Sequence, residues 1–239
     1  MGLQTRTLSA DRGLSWISEG FSLFKRNPII WIVLTIILFF IGFALSLIPV
    51  IGQLLFALAS PVFLAGLMEG CRVLSRGGEL EISHLFAGFQ KNPAPLITLG
   101  GIYLVGQVLI VGAMLLVGGP AIYSLFMGGD ETVAYDEILS AMLLPLLIGM
   151  ALSIPLMMAL WFAPVLVYLH NESPLNSISA SFYACLANII PFVLYGVILF
   201  VLAFIAAIPF MLGFLILIPV IITSVYQSYL DIFQTGARA

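Results

Sequence analysis

EGFSLFKRNPIIW, residues 19–31, sets an amphipathic stretch directly against an apolar run. Two phenylalanines three apart, two cations and Asn27-Pro28 lead into IIWIVLTIILFFIGFALSLI, residues 29–48, which carry no charge. At about 1.5 Å of rise per residue, about 20 residues cover the roughly 30 Å hydrocarbon core of a bilayer, so this run is predicted to span it. The stretch before it places Leu14, Ile17, Phe21 and Phe24 at helical spacing, with Ser15, Ser18, Ser22 and Lys25 on the other side. That pattern predicts a helix lying flat at the membrane interface, apolar face down. Asn27 is expected to cap the spanning helix, and Pro28 suits its first position.

The device recurs. LFAGFQKNP at 85–93 repeats GFSLFKRNP, and SFYACLANIIP at 181–191 repeats it more faintly. Phe21, Phe86 and Phe182 each precede Asn27, Asn92 or Asn188 by six residues, and Pro-Val follows at 61–62, 164–165 and 219–220. The second stretch opposes Ile82, Leu85, Phe86 and Phe89 to Ser83, His84 and Lys91. The third opposes Leu175, Ile178, Phe182 and Cys185 to Asn176, Ser177 and Ser181. Internal similarity of this kind governs the fold. Units with two spans each share one orientation, so their symmetry axis lies along the membrane normal, unlike the inverted repeats of many transporters.

Composition agrees. Of 239 residues, 62% are hydrophobic and 8% charged, against about a quarter charged in soluble domains. The chain reads as an all-α integral membrane protein, a single membrane domain over 1–239. Six transmembrane helices are expected at 29–48, 53–68, 94–118, 138–169, 189–208 and 212–230, as three repeats of interfacial amphipathic helix plus transmembrane hairpin. The repeat units fall at about 14–76, 82–170 and 174–233, with an acidic outer loop at 119–137. The fourth run holds Pro145, Pro155 and Pro164, which predicts a kink or an extension beyond the membrane. The apolar run begins too late and runs too long for a cleavable signal. No basic face supports nucleic-acid binding.

The cations Arg6, Arg12, Lys25, Arg26, Arg72, Arg76, Lys91 and Arg238 all fall before the first span, between the second and third, or after the sixth. Asp130, Glu131, Asp136 and Glu137 lie on the other side. The positive-inside rule then predicts a multi-pass protein of the cell inner (cytoplasmic) membrane with both termini cytoplasmic.

WFAPVLVYLHNESPLNSISASFYACLAN, residues 161–188, carries a resemblance, in Ala163-Pro164, Ser173-Pro174, Ser181-Phe182 and Asn188. With EGFSLFKRNP and HLFAGFQKNP it resembles a group of uncharacterised bacterial six-helix inner-membrane proteins. That group looks related to the membrane domain joined to some glycerophosphodiester phosphodiesterases. The resemblance spans nearly the whole chain and implies the fold. It brings no catalytic residues, and the chain has no phosphodiesterase domain.

Chemistry-bearing groups are sparse. Metal-ligand spacing, H-E-x-x-H, a P-loop and C-x-x-C are all missing, so no metal, cofactor or catalytic residue is expected. Cys71 and Cys185 read as small apolar packing residues, and His84 and His170 as interfacial residues. Glu69 and Arg72, three apart near the inner surface, read as a local ion pair. Gly66 and Gly70 permit close helix contact. Tyr103 and Gln107, four apart at mid-bilayer, form the candidate intramembrane polar site, as a ligand site or as interhelical hydrogen bonds. The acidic loop lacks the ordered spacing of a calcium site and reads as solvated.

Lys25, Arg26 and Lys91 are the candidate lipid head-group contacts, worth about 1 kcal/mol each against anionic lipid, though such cations also serve to fix topology. Phe21, Phe24, Phe86, Phe89 and Phe182 are the interfacial apolar anchors. The expected function is non-enzymatic: organising or sensing membrane lipid, or supporting a membrane protein partner. The alternative is a transporter or exporter of a small apolar or amphipathic molecule, with Tyr103 and Gln107 lining its cavity.

Overall fold

The computed structural model describes residues 5–91, 93–127 and 135–233; the side chains of 120–141 lie outside that description. Asn92, Asp130, Glu131 and Arg238 therefore fall outside the described residues, as do the side chains of Asp136 and Glu137. Every regular element among the described residues is helical.

Helix α1 (Arg12–Phe24) leads through Lys25–Asn27 into α2 (Pro28–Ser46), and α3 (Ile51–Ser75) returns. A 3₁₀ segment (Ile82–Phe86) and the single turn α4 (Ala87–Gln90) precede α5 (Pro93–Met127). The return is α6 (Tyr135–Trp161) followed by α7 (Ala163–His170). Then come α8 (Pro174–Ala187), α9 (Ile189–Ala207) and α10 (Phe214–Phe233). Six stretches are long and apolar enough to cross a membrane: Pro28–Ser46, Ile51–Ser75, Pro93–Gly119, Met142–His170, Ile189–Ala207 and Phe214–Phe233.

Several expectations need correction. The second amphipathic stretch is a 3₁₀ segment plus one helical turn rather than one regular helix. Much of the expected loop at 119–137 is helical, because α5 continues to Met127 and α6 begins at Tyr135. Asn27 makes no side-chain cap; with Pro28 next in line, one of the orphan N–H donors is already absent. The break in the fourth span comes at Phe162, while Pro145 and Pro155 lie inside continuous helix.

Side-chain packing concentrates at one end of the bundle. The buried residues of α2 are Trp31, Leu34 and Thr35, all in its first half, and those of α3 lie mostly from Pro61 to Leu74. In α10 they lie mostly from Pro219 to Phe233. The opposite halves of α2 and α9 present Phe39, Phe43, Phe200 and Phe204 outward. Helices splayed in this way leave their apolar outer halves to lipid, which solvates them as well as another helix does.

The short segments tie the packed end together. Each packs on a spanning helix: the 3₁₀ segment and α4 on α3, α8 on α6, and α1, from the other end of the chain, on α10. Small residues set the crossings. A side chain at Gly20 would meet the backbone of Ser224; one at Gly66 would meet the carbonyls of His84 and Leu85; one at Gly88 would meet Val62. Backbones approach this closely only where no Cβ intervenes, and membrane helices depend on such contact because burial from lipid gains little.

Candidate lipid-contact surface

In α1 the buried row is Gly13, Trp16, Ile17, Gly20, Leu23 and Phe24. The expected apolar face is thus divided: Ile17 and Phe24 pack inward, whereas Leu14 and Phe21 are 56% and 42% exposed. The helix has two apolar rows. One holds Trp16 against Phe192 and Tyr195, at ring centroid distances of 5.1 and 6.1 Å. The other faces away from the bundle. Polar contacts register α1 on α10. Thr223 Oγ1 donates to the Gly20 carbonyl at 2.9 Å, and Trp16 Nε1 donates to Asp231 Oδ2 at 2.9 Å. Arg12 pairs with both Asp231 and Glu19. Burial opposes the charge on Arg12, but the bond to Asp231 and the two carboxylates outweigh it and raise its pKa further.

In the second segment Leu85 is fully buried, while Ile82, Phe86 and Phe89 stay about two-fifths exposed. Phe86 and Phe89 lean their rings edge-on against Phe63 of α3. His84 serves locally: Glu81 N–H donates to its Nδ1 at 2.9 Å, half of a reciprocal capping box. Gly66 does permit close contact, but with this segment rather than with another spanning helix, and Gly70 abuts Leu80 of the preceding loop.

The third segment departs most from expectation. Ser177 and Ser181, assigned to the polar face, are fully buried, and Cys185 is nearly so. Phe182 is partly buried, while Leu175, Tyr183 and Leu186 point outward. Small hydroxyls let α8 lie close against α6. Ser181 Oγ accepts Phe162 N–H at 2.9 Å and donates to Met158 C=O at 2.7 Å. Asn188 makes no side-chain cap on α9. Its side chain instead accepts Leu8 N–H at 2.8 Å and donates to Arg6 C=O and Ala184 C=O, each at 2.9 Å. Arg6 N–H in turn donates to Ile232 C=O at 3.1 Å. The N-terminal strap is thereby fastened to the α8–α9 junction and to the end of α10.

The cations lie beside these rows. Lys25 Nζ is 5.0 Å from the Phe21 ring centre, and Arg26 donates to Leu74 C=O at 2.9 Å. Lys91 Nζ lies 5.1 Å from the Tyr168 ring centre and 3.3 Å from the Tyr168 carbonyl oxygen. All three are exposed. Arg26 also borders a polar cavity of about 370 Å³ with Ser18, Ser22, Ser75 and Gln227. Glu69 and Arg72 form the expected ion pair. His170 Nε2 shares a 2.6 Å hydrogen bond with Tyr229 Oη, joining α7 to α10.

At the splayed end a cleft of about 1100 Å³ opens between α2, α3 and α10. Tyr103 lines it from α5; Gln107 does not, so the two expected partners do not share this cleft. The strap, the Asn188 contacts and the buried Ser181 were missed in the sequence. A signal was present, since four of the five residues in SISAS at 177–181 are small, but serine suits a solvated face and a tight crossing equally well.

A helical membrane protein is the class this arrangement defines: six membrane-capable spans, packed at one end by short crossing segments. It is similar to a probable inner membrane protein of Burkholderia thailandensis, 31% identical over 207 residues that cover 84% of this chain and 77% of the relative. The chain belongs to the family of that protein. Neither a family model nor a solved structure matches it.

Proposed function

We propose that the chain is a non-enzymatic inner-membrane protein that organises or senses lipid through the outward rows of its three crossing segments. The observation that carries this reading is the doubled apolar face. Each segment buries one row on the bundle and still turns another outward: Leu14 and Phe21, then Ile82 and Phe86, then Leu175 and Tyr183. With Lys25, Arg26 and Lys91 beside them, these rows would dock acyl chains below and anionic head groups above. Support of a membrane partner protein would use the same rows. Transport is less well supported, because the packed end is filled by large, fully buried side chains such as Trp31, Phe162 and Tyr229.

The test is Leu14→Ser, Phe86→Ser and Leu175→Ser combined. These residues are 56%, 40% and 74% exposed, so the bundle should survive their loss. Native mass spectrometry from nanodiscs should then show fewer retained lipids. An unchanged lipid count would end the lipid reading, and loss of a protein partner instead would favour the scaffold role.

The reading extends to architecture. We take the chain as three repeats, each segment crossing the return helix of the unit before it and the first crossing that of the last. In support, Gly20 and Leu85, one residue before Phe21 and Phe86, abut Ser224 and Gly66, each five residues beyond Pro219 or Pro61. Ser181, one before Phe182, bonds at Met158 and Phe162, which pairs Pro155 rather than Pro164 with those two prolines. The proposed kinship with the membrane domain joined to some glycerophosphodiester phosphodiesterases rests on residues 161–188 and carries no hydrolytic activity with it. Both termini are proposed to be cytoplasmic. A cysteine at Asp130 should react with an impermeant maleimide on intact cells and one at Arg76 should not; the opposite pattern would invert the topology.

A further inference from the structure

We propose that the cleft between α2, α3 and α10 holds one hydrocarbon chain of a membrane lipid drawn from the leaflet opposite the crossing segments. The inference rests on the spanning helices and not on the interfacial reading above.

Depth gives the first argument. The cleft runs along α2 from Ser46 to Thr35, eleven residues or about 16 Å of helix. That is close to one leaflet of a hydrocarbon core roughly 30 Å thick. A helix from a second copy would cross both leaflets, but past Thr35 this face closes over Trp31 and Leu34, which are buried. The space therefore matches a chain that ends at the bilayer midplane.

Chemistry gives the second. Among the described residues no Asp, Glu, Lys, Arg or His lines the cleft; its walls are mostly rings and aliphatic side chains, among them Phe39, Phe43, Phe56 and Phe214. The serine and threonine hydroxyls on its walls are already bonded within their own helices, Thr35 to Trp31 C=O at 2.9 Å, Ser60 to Ala57 C=O at 3.0 Å and Ser46 to Phe43 C=O at 2.7 Å, which leaves the Tyr103 hydroxyl and the Gln53 amide as the polar groups on offer. A polar ligand would find little to bond there, and burying its polar groups unpaired is costly. Gln53 lies at the rim, beside the α2–α3 turn. An apolar interior of one-leaflet depth with an uncharged amide at its mouth complements an acyl chain whose ester region stays at the rim. About 1100 Å³ lies near the upper end for a small-molecule site. The space stays open because Gly42 and Ala57 on its walls are small.

The experiment reconstitutes the full chain in phosphatidylethanolamine–phosphatidylglycerol vesicles containing a trace of phosphatidylethanolamine with a diazirine near the end of one acyl chain. After photolysis, peptide mass spectrometry should find label on Phe39, Phe56 and Leu215 severalfold above that on Leu116, the outward residue of α5 that is 84% exposed. Gly42→Trp should obstruct the cleft and cut that excess while labelling of Leu116 persists. Equal labelling of cleft and Leu116 in the unmodified chain would overturn the proposal, whatever the variant does. So would disulfide-linked dimers of a Phe39→Cys or Leu215→Cys variant formed in the same vesicles, which would make a second copy the occupant. Neither outcome bears on the Leu14, Phe86 and Leu175 test, so the two readings fail separately.

Discussion

Ser181 completes a hydrogen bond that α6 breaks at Phe162: its hydroxyl stands between Met158 C=O and Phe162 N–H, the pair that would otherwise close the helical ladder. A side chain inserted into the i→i−4 ladder is a recognised cause of a helix break. The kink is therefore made by a residue on another helix, with Pro164 two residues beyond it preventing α6 from running straight into α7.

Ser181→Ala should then cost about 1–3 kcal/mol, the penalty for leaving buried backbone groups unpaired. Thermal unfolding in detergent measures it. A variant as stable as the parent would mean that Met158 and Phe162 rejoin directly and that the serine is incidental to the break.

Asp231 receives Arg12 and the Trp16 indole together. Asp231→Asn keeps the size and one acceptor but removes the charge, and should cost about 1–3 kcal/mol, as for a hydrogen bond to a charged partner. Because the pair fastens α1 to α10, limited trypsinolysis at Arg12 should accelerate in parallel. Replacing both members, Arg12→Met with Asp231→Leu, should recover only part of the loss: apolar substitutes for a buried pair are often tolerated, but the buried Trp16 indole N–H loses its acceptor.

Glycine positions should separate sharply. A side chain at Gly20 runs into the Ser224 backbone, whereas one at Gly112 meets nothing within 4 Å. Gly20→Val should displace α1 at a cost of about 1–3 kcal/mol. Gly112→Ala should stabilise α5 by about 0.5–1 kcal/mol through helix propensity alone. Parallel melting curves decide between these signs.

Cys185 is 5% exposed, and burial pushes its thiol up to about 12, with a smaller opposing pull from Ser181. Since the thiolate is the reactive form, it should resist a soluble maleimide at pH 8 in the folded protein and react once denaturant unfolds α8. Ser22→Cys, on the exposed side of α1, should react at once under the same conditions. Peptide mass spectrometry, which separates Cys185 from Cys71, also buried, reads the labelling.

Asn188→Leu removes the bonds to Leu8 and Arg6 that fasten the N-terminal strap. Hydrogen exchange at Arg6 and Leu8 should rise by orders of magnitude while the spans stay protected. Unchanged protection would show that Ile232 alone holds the strap.

Much of this architecture is legible along the chain. Hydropathy runs place the spans to within a few residues at most ends, because a bilayer demands about 20 apolar residues whatever their neighbours are. The Glu69–Arg72 pair is legible for a similar reason: residues three apart on a helix must meet. The longest misses are α5, expected to end at 118 but continuing to Met127, and α3, expected to end at Met68 but continuing to Ser75. Glu69 and Arg72 look like a membrane boundary, yet the helix runs on beyond it.

Interfacial polarity was only half legible. Periodicity identifies an apolar row on α1 but cannot say which side is covered, since Leu14 and Trp16 are equally apolar in composition and differ only in what lies opposite. That answer comes from α9 and α10, some 180–215 residues away. The same holds for Ser177 and Ser181, polar by type but buried because α6 crosses close above them. Hydropathy is a property of each residue and the local helix, so one-dimensional pattern suffices for membrane class, spans and short-range pairs. The buried row, the hydroxyl in the α6 ladder, the strap on Asn188 and the cleft beside Tyr103 are properties of surfaces brought together from distant parts of the chain, and they exist only once the helices cross.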